Sequence, residues 1–533
     1  MLDRAWSITD VFFLKQDAPV LLAWAVALAV LARLPLRPFG GLDPSPRRAA
    51  QIVAAIAVAC AAAAWAGTFL IYRNYPLSMD EFMAHFDAVI FSRGRLFGEL
   101  PAHWGGYKAA LQPVFQLGTP SPLHWSSSYL PVNAAVRAAG RLVGLETLVN
   151  PAWTAAAVVA TWGVARRLWP EKPQTALIAA ILLATSSQVI VNGMSAYAMP
   201  AHLALNMAWL WCFLRGGRKG HAAALAVGFA ASGLHQVVFH PLFVAPFILQ
   251  LWLERRWRTA AFYTVGYALI GLFWISWWDM AFTLAGFDHG AGGMGAGGFA
   301  ARVQALIEAR KLGDIPLMAR NLARFVSWQN PLAVALAVVG ALAAFRAGGV
   351  LRALLLSILV TTLAVGVILP FQGHGWGYRY LHGAIGSACL LAAWTWSRLT
   401  DRLKPEEQRK AQAAFMIVTA ASVLVALPVR AWQVNRFLTP YARASAVIAK
   451  TEADVVLLDD RGVWYGQDLV RNDPFLRNRP VVVLLKSVRR WPLADICTRE
   501  SVAVAHRKGA IGRSPSADFE ITLTPLACPA AKP

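Results

Sequence analysis

Cysteine is scarce in this chain: five in 533 residues, none in a CxxC pair and none beside histidines at zinc-ligand spacing. That excludes a zinc-ribbon or ferredoxin-like protein. Charge is scarce as well. Asp, Glu, Lys and Arg make up 15% of the residues, against roughly 25% in an ordinary soluble domain, and this excludes a typical cytosolic enzyme. No internal repeat is visible. The first residues hold Asp3, Arg4 and Lys15 but no small-residue cleavage site, so the first apolar run reads as a true span and not as a removed signal.

What is abundant is apolar side chain, 57% of the chain. A helix needs about 20 mostly apolar residues to cross ~30 Å of hydrocarbon. Windows of that kind lie at 18–34, 50–72, 150–166, 174–192, 197–214, 220–234, 238–253, 259–283, 331–345, 352–371, 381–397 and 411–431. The sixth and seventh windows, joined by the partly apolar turn Gly233–Pro241, are the weakest and leave room for one re-entrant hairpin. The expected fold is an all-α polytopic membrane protein of about twelve transmembrane helices.

The net charge of +22 would suggest nucleic acid in a soluble protein, but its distribution points elsewhere. Arg33, Arg37, Arg47, Arg48, Arg166, Arg167, Lys172, Arg215, Arg218, Lys219, Arg255, Arg256, Arg258, Arg346, Arg352, Arg398, Arg402, Lys404, Arg409 and Lys410 all fall in one set of alternate short loops. The opposing short loops, 193–196, 235–240 and 372–380, hold Arg379 alone. Basic loops stay cytoplasmic, so both termini are expected outside, in a bacterial periplasm or its equivalent. The excess charge therefore fixes topology and implies no nucleic acid.

Three long segments then lie outside: 73–149, 284–330 and 432–533. In the first, Phe82, Met83, Phe86, Val89, Ile90 and Leu96 recur at helical spacing between Asp80 and Glu99, predicting an amphipathic interfacial helix, with a second from Tyr129 to Leu142. In the second, GAGGMGAGG at Gly290–Gly298 predicts a flexible loop, a lid or a plain connector, leading to a surface helix from Ala300 to Lys311. The 432–533 tail reads as a small α/β unit with a helix near Tyr441–Lys450 and strands at Asp454–Leu458, Val481–Leu485 and near Ile521. A Cys497–Cys528 disulfide fits an oxidising compartment, while Cys60, Cys212 and Cys389 read as small apolar packing residues.

The candidate chemistry gathers outside. Asp80 and Glu81 stand together where the second span emerges. One reading makes them first-turn helix acids beside a cap. The other makes a general base that deprotonates an attacking hydroxyl or amine. Nine of the eleven histidines fall on or near the outer side, His85, His103, His124, His235, His240, His289, His374, His382 and His506. His235 and His240, with Glu81 or His374, could complete a divalent metal site or simply be hydrogen-bonded. In PFQGHGWGYRYLHG, Arg379 sits between Tyr378 and Tyr380 and suits a lipid phosphate, or a structural pair with Asp80. Asp279 is a further acidic candidate.

The arrangement resembles the GT-C superfamily of membrane glycosyltransferases, which includes protein O-mannosyltransferases and the lipid A aminoarabinose transferase. The resemblance covers residues 50–400: a span, a long outer loop opening on an acidic pair (Asp80, Glu81), then short-looped helices and a late Arg-Tyr turn (Arg379, Tyr380). It implies a polyprenyl-phosphate sugar donor, Asp80 as base and Arg379 on the departing phosphate, acting on a glycan, lipid or protein acceptor. Where relatives carry a further Asp, this chain has GMSAYAMPAHLALN, offering Tyr197, His202 and Asn206. Other classes open at this stage are a transporter or lipid flippase, and a glycan polymerase or ligase with a diphosphate-linked donor. Against the transporter stand the absence of a repeat and spans nearly free of charge.

Overall fold

The computed structural model describes residues 7–37, 44–287, 304–309, 314–488, 496–509, 516 and 518–527. The glycine run, His289 and Cys528 lie outside these residues, as does most of the expected helix at Ala300–Lys311, of which 304–308 are helical.

Every one of the twelve apolar windows is helical. Among the described residues, six helices are long and apolar enough to cross a bilayer: Ile8–Leu31, Pro46–Leu70, Glu146–Leu168, Trp257–Ile275, Gly349–Ile368 and Pro405–Ala449. Two bent pairs add to these, Pro173–Ala184 with Ser187–Gly193 (59°) and Asp314–Ser327 with Pro331–Ala347 (117°). The remaining windows, Met199–Arg215, Gly217–Ser232, Phe239–Leu253 and Ile385–Thr400, form shorter helices. Local chemistry sets the boundaries. Ser45 and Asn330 cap the helices that begin with Pro46 and Pro331, where the missing proline N–H costs nothing. Gly348 and Gly349, both at positive φ, close the hairpin between Pro331–Ala347 and Gly349–Ile368.

The basic loops meet at one end of the bundle, where Lys172 pairs with Asp401 at 2.5 Å. The long segments and the tail meet at the other. There the tail forms a four-stranded sheet in the order β4-β3-β5-β6 (β3 Val455–Leu458, β4 Val481–Leu484, β5 Val502–Arg507, β6 Ile521–Pro525), parallel except for β6. A two-residue ladder, β1 (Gly98–Glu99) with β2 (His124–Trp125), lies in the first loop. Strands β3 and β4 read VVLL and VVVL because both faces of the sheet are covered there. Val455, Leu457, Val481 and Val483 pack with Met79, Phe82, Met83, Phe86 and Ile90. Val456, Leu458, Val482 and Leu484 belong to the main core with Tyr441, Ala444 and Ile448.

Two elements differ from the sequence expectation. The helix Met79–Phe91 has no exposed residue; it is roofed by the sheet and does not lie against lipid, and its second apolar edge is what the tail covers. The helix expected at Tyr441–Lys450 is the end of a 45-residue helix that starts at Pro405 and runs through residue 431 into the tail. Strand β5 was not visible in the sequence pattern. The second loop helix, Val132–Leu142, does keep an apolar edge, with Leu142, Val143 and Leu145 exposed beyond it. Cys497 is disulfide-bonded, and Cys60, Cys212 and Cys389 are free and buried.

Candidate active site

The segment Tyr75–Ser78 delivers Met79–Phe91 to the loop end of the bundle. Ser78 caps this helix, accepting from the Glu81 amide, while Glu81 Oε2 accepts from the Ser78 amide at 3.0 Å. Glu81 Oε1 also accepts from the Ala196 amide at 3.2 Å. Both oxygens of Glu81 are thus occupied, by the Ser78 and Ala196 amides and the Ser78 hydroxyl, and the residue is fully buried. Burial pushes its carboxyl up, against the opposing pull of those amides.

Asp80, one residue earlier, points elsewhere. Its Oδ2 is 2.5 Å from Arg379 Nη2, and its Oδ1 accepts from the Tyr129 hydroxyl. The Tyr129 ring stacks on His235 with centroids 4.2 Å apart. Burial alone would raise the Asp80 carboxyl, but Arg379, His235 and the Tyr129 hydroxyl outweigh it and hold it below the usual range. Burial lowers His235 to about 4, so the imidazole is neutral at pH 7.

Arg379 is held from three sides. Its Nη2 also donates to the Gln372 carbonyl at 2.7 Å, and its amide donates to Gln372 Oε1 at 2.9 Å. The rings of Tyr197 and Tyr380 face its guanidinium at 4.7 and 5.3 Å. Nε and Nη1 are buried and have no hydrogen-bond partner among the described residues. The turn that carries Arg379 is pinned to Ser187–Gly193: Gln188 Nε2 donates to the Tyr378 carbonyl at 3.0 Å. A Cβ on Gly377 would lie 2.3 Å from Gln188 Oε1, and φ there is +64°, so glycine is required by both space and backbone. Arg324 Nη2 holds the Gly375 carbonyl at 2.9 Å.

The tail closes the arrangement. Asp468 Oδ2 accepts from His374 Nε2 at 2.9 Å and from the Met79 amide at 3.3 Å, joining the Arg379 turn to the first turn of the Asp80 helix. Arg471 donates to the carbonyls of Pro76 and Leu77 and covers the Tyr75 ring at 3.9 Å.

No protein-family model matches the sequence, and no curated protein matches it. Solved structures do. ArnT from Cupriavidus metallidurans bound to undecaprenyl phosphate aligns over 95% of this chain and 98% of its own, at 11% identity and TM-score 0.49. The apo form of the same protein aligns over 92% of each chain at 13% identity and TM-score 0.46. The oligosaccharyltransferase AglB of Archaeoglobus fulgidus, in complex with an inhibitory peptide and a dolichol-phosphate, aligns over 75% of this chain and 58% of its own, at 12% identity and TM-score 0.43.

Of the residues singled out in the sequence, Asp80, Arg379, Tyr380 and His235 converge, joined by Tyr197. Tyr378 turns its hydroxyl to Met318 Sδ at 3.5 Å and does not face Arg379. His85 pairs with Glu146 at 2.8 Å, in a cavity of about 240 Å³ that reaches Glu81 and not Asp80. His240 bonds Asn206 Oδ1 and the Tyr267 hydroxyl at 2.7 and 2.8 Å. Asp279 lies in the first turn of Trp277–Leu284, outside the cluster. His235, His240, His374 and Glu81 therefore do not form one ligand set, and no group of three metal-ligating side chains stands together among the described residues. Nothing local marks Tyr129, Gln188 or Asp468 as site residues, since their partners lie about 50 to 390 residues away; Gln372 lies only seven residues from Arg379, inside the turn the sequence singles out, but no pattern there sets an amide apart.

Asp87, two turns along from Asp80, accepts from Ser126 Oγ and the Ser127 amide, both at 3.0 Å, and from the Ser127 hydroxyl. Burial raises its carboxyl to about 6 in spite of these bonds. A carboxyl whose folded pKa lies above its unfolded value stabilises the fold below the unfolded pKa, and that contribution is lost as pH rises through the folded one. Stability is expected to fall by about 3 kcal/mol between pH 4 and 7 from this group. Unfolding of the purified protein across that range should show the slope, and Asp87→Asn should flatten it.

Proposed function

We propose that this protein transfers a sugar from a polyprenyl-phosphate donor to an acceptor hydroxyl or amine on the outer face of a bacterial inner membrane, with inversion at the anomeric carbon. The observation that carries this reading is the buried pair of Asp80 and Arg379, contributed by two loops about 300 residues apart, with two guanidinium nitrogens, Nε and Nη1, free of described partners for a further anion. A single displacement needs one base and one cation on the leaving group.

The donor phosphate competes with Asp80 for Arg379. As the guanidinium turns its charge to the phosphate, Asp80 loses the ion pair that keeps it weakly basic. Asp80 then takes the proton from the acceptor oxygen or nitrogen as that atom attacks the anomeric carbon. The bond from that carbon to the phosphate oxygen breaks on the opposite side, its electron pair leaves with the polyprenyl phosphate, and Arg379 balances the charge. Tyr197 and Tyr380 keep the guanidinium in place between its two anions, and Tyr129 holds Asp80 in orientation. The 432–533 tail serves as a clamp that sets the entry of the Asp80 helix through Asp468 and Arg471.

Reconstituted protein given a radiolabelled polyprenyl-phosphate sugar and a crude outer-envelope acceptor fraction should move label to the acceptor and release polyprenyl phosphate in equal amount. Retained label on the lipid across a panel of donor sugars, or movement of intact lipid without transfer, sinks the proposal.

A further inference from the structure

A second polar recess lies away from Asp80, behind the turn that carries Arg379. It is a groove of about 730 Å³ formed by the first helix (Lys15), the outer end of the second (Arg73), one face of the long helix (Trp432, Arg436, Arg443) and the tail. Trp432, Arg436, Thr439 and Arg443 follow one another at spacings of four, three and four, so the long helix presents them on one side. Among the described residues that line the groove there are four cations and one carboxylate, Asp518. None of Lys15, Arg73, Arg436 or Arg443 belongs to an ion pair with a described carboxylate. Arg73 Nε donates to Thr439 Oγ1 at 3.0 Å, which orients that side chain across the groove.

The height of this groove relative to lipid can be read from the long helix itself. Leu424 and Val425 are 73% and 61% exposed on it, and Trp432 is 58% exposed: an apolar face ending in a tryptophan, as at a membrane–water boundary. Arg436 lies about 6 Å above Trp432 along the axis and Arg443 about 16 Å, at 1.5 Å per residue. The headgroup layer occupies about 5–7 Å on each side of the hydrocarbon, so Arg436 stands at its level, while Arg443 lies two turns further out along the helix. The Arg436 guanidinium also covers the Trp432 ring at 5.5 Å.

We propose that this groove binds the phosphate headgroup of an anionic phospholipid, with the acyl chains lying along the apolar face below Trp432, and that it is separate from the donor site. It does not depend on the transfer chemistry. Its inner wall is Phe12 and Phe437, whose rings pack at 6.2 and 6.0 Å from Trp376 in the Arg379 turn, so a bound headgroup would brace the back of that turn without touching the reacting groups.

The test is lipid retention by the full chain in detergent, read by native mass spectrometry after titration with phosphatidylglycerol or phosphatidylcholine. The wild type should retain phosphatidylglycerol at least tenfold better, and Arg436→Gln with Arg443→Gln should bring the two lipids within twofold while polyprenyl-phosphate binding is unchanged. Inorganic phosphate at matched concentration should not compete, because it lacks the chains. Equal retention of the two lipids by the wild type overturns the proposal without reference to any variant. So does undiminished preference in the folded double variant, competition by inorganic phosphate, or loss of polyprenyl-phosphate binding with the two substitutions, which would make the groove the donor site.

Discussion

Asp80→Asn is expected to reduce sugar transfer per folded molecule by about 10²–10⁴-fold, the range that a positioned general base contributes, together with some loss of stability because Arg379 loses its buried anion. The substitution keeps the size of the side chain and an oxygen for the Tyr129 hydroxyl, but removes the charge facing Arg379. Arg379 is then a buried cation without its anion, and an incoming donor phosphate no longer has to displace a carboxylate. The signature is therefore a split: kcat falls steeply while the KM for the lipid donor stays level or drops. A purely structural role for Asp80 would lower the amount of folded protein and leave kcat per folded molecule unchanged. Near wild-type kcat in Asp80→Asn removes Asp80 from the chemistry.

The largest loss of stability is expected from Asp17→Asn. Asp17 closes a π-helical turn, Phe13–Asp17, inside the first long helix, Ile8–Leu31, and it is completely buried between two arginines. Its Oδ2 is 3.0 Å from Arg324 Nε and its Oδ1 is 3.3 Å from Arg430 Nη2. Oδ1 further accepts from Ser327 Oγ at 2.9 Å and Trp328 Nε1 at 2.8 Å. Removing one member of a buried charge cluster costs about 3–5 kcal/mol, because the remaining charge is left without compensation. Here two guanidinium groups are left, both almost fully buried. The loss should appear in equilibrium unfolding in mixed micelles. A triple replacement, Asp17→Leu, Arg324→Met and Arg430→Met, should recover much of it, since an apolar cluster of similar volume has no charge to desolvate. If Asp17→Asn is as stable as the parent, the cluster is not compensated as the geometry indicates. Activity should fall as well in the triple variant, because Arg324 is the donor that fixes the Gly375 carbonyl in the Arg379 turn.

These two carboxylates differ in how far the sequence alone exposes them. Asp80 is marked by position, an acid at the exit of a span and the start of a long loop, and the sequence reading reached it together with Arg379. It also reached Glu81, which the structure occupies with the Ser78 and Ala196 amides. Adjacent residues of a helix point about 100° apart, and only the packing around them shows which faces the cation. Asp17 carries no mark of this kind: one acid before an apolar run looks like any solvated helix end, and its partners are some 300 and 400 residues away.

The periodicity of apolar residues and the one-sided placement of Lys and Arg determined by themselves that the chain is a bundle of apolar helices with its long segments at one end, because helix formation and charge retention act locally. Tertiary structure decided the rest. It turned the Met79–Phe91 helix from an expected interfacial element into one buried under the tail sheet, since its apolar side chains pack against the Val-rich strands. It drew Asp80, Tyr129, Tyr197, His235 and Arg379 into one cluster and dispersed the remaining histidines, because convergence depends on how distant loops pack, and a sequence pattern records only what lies within a few turns.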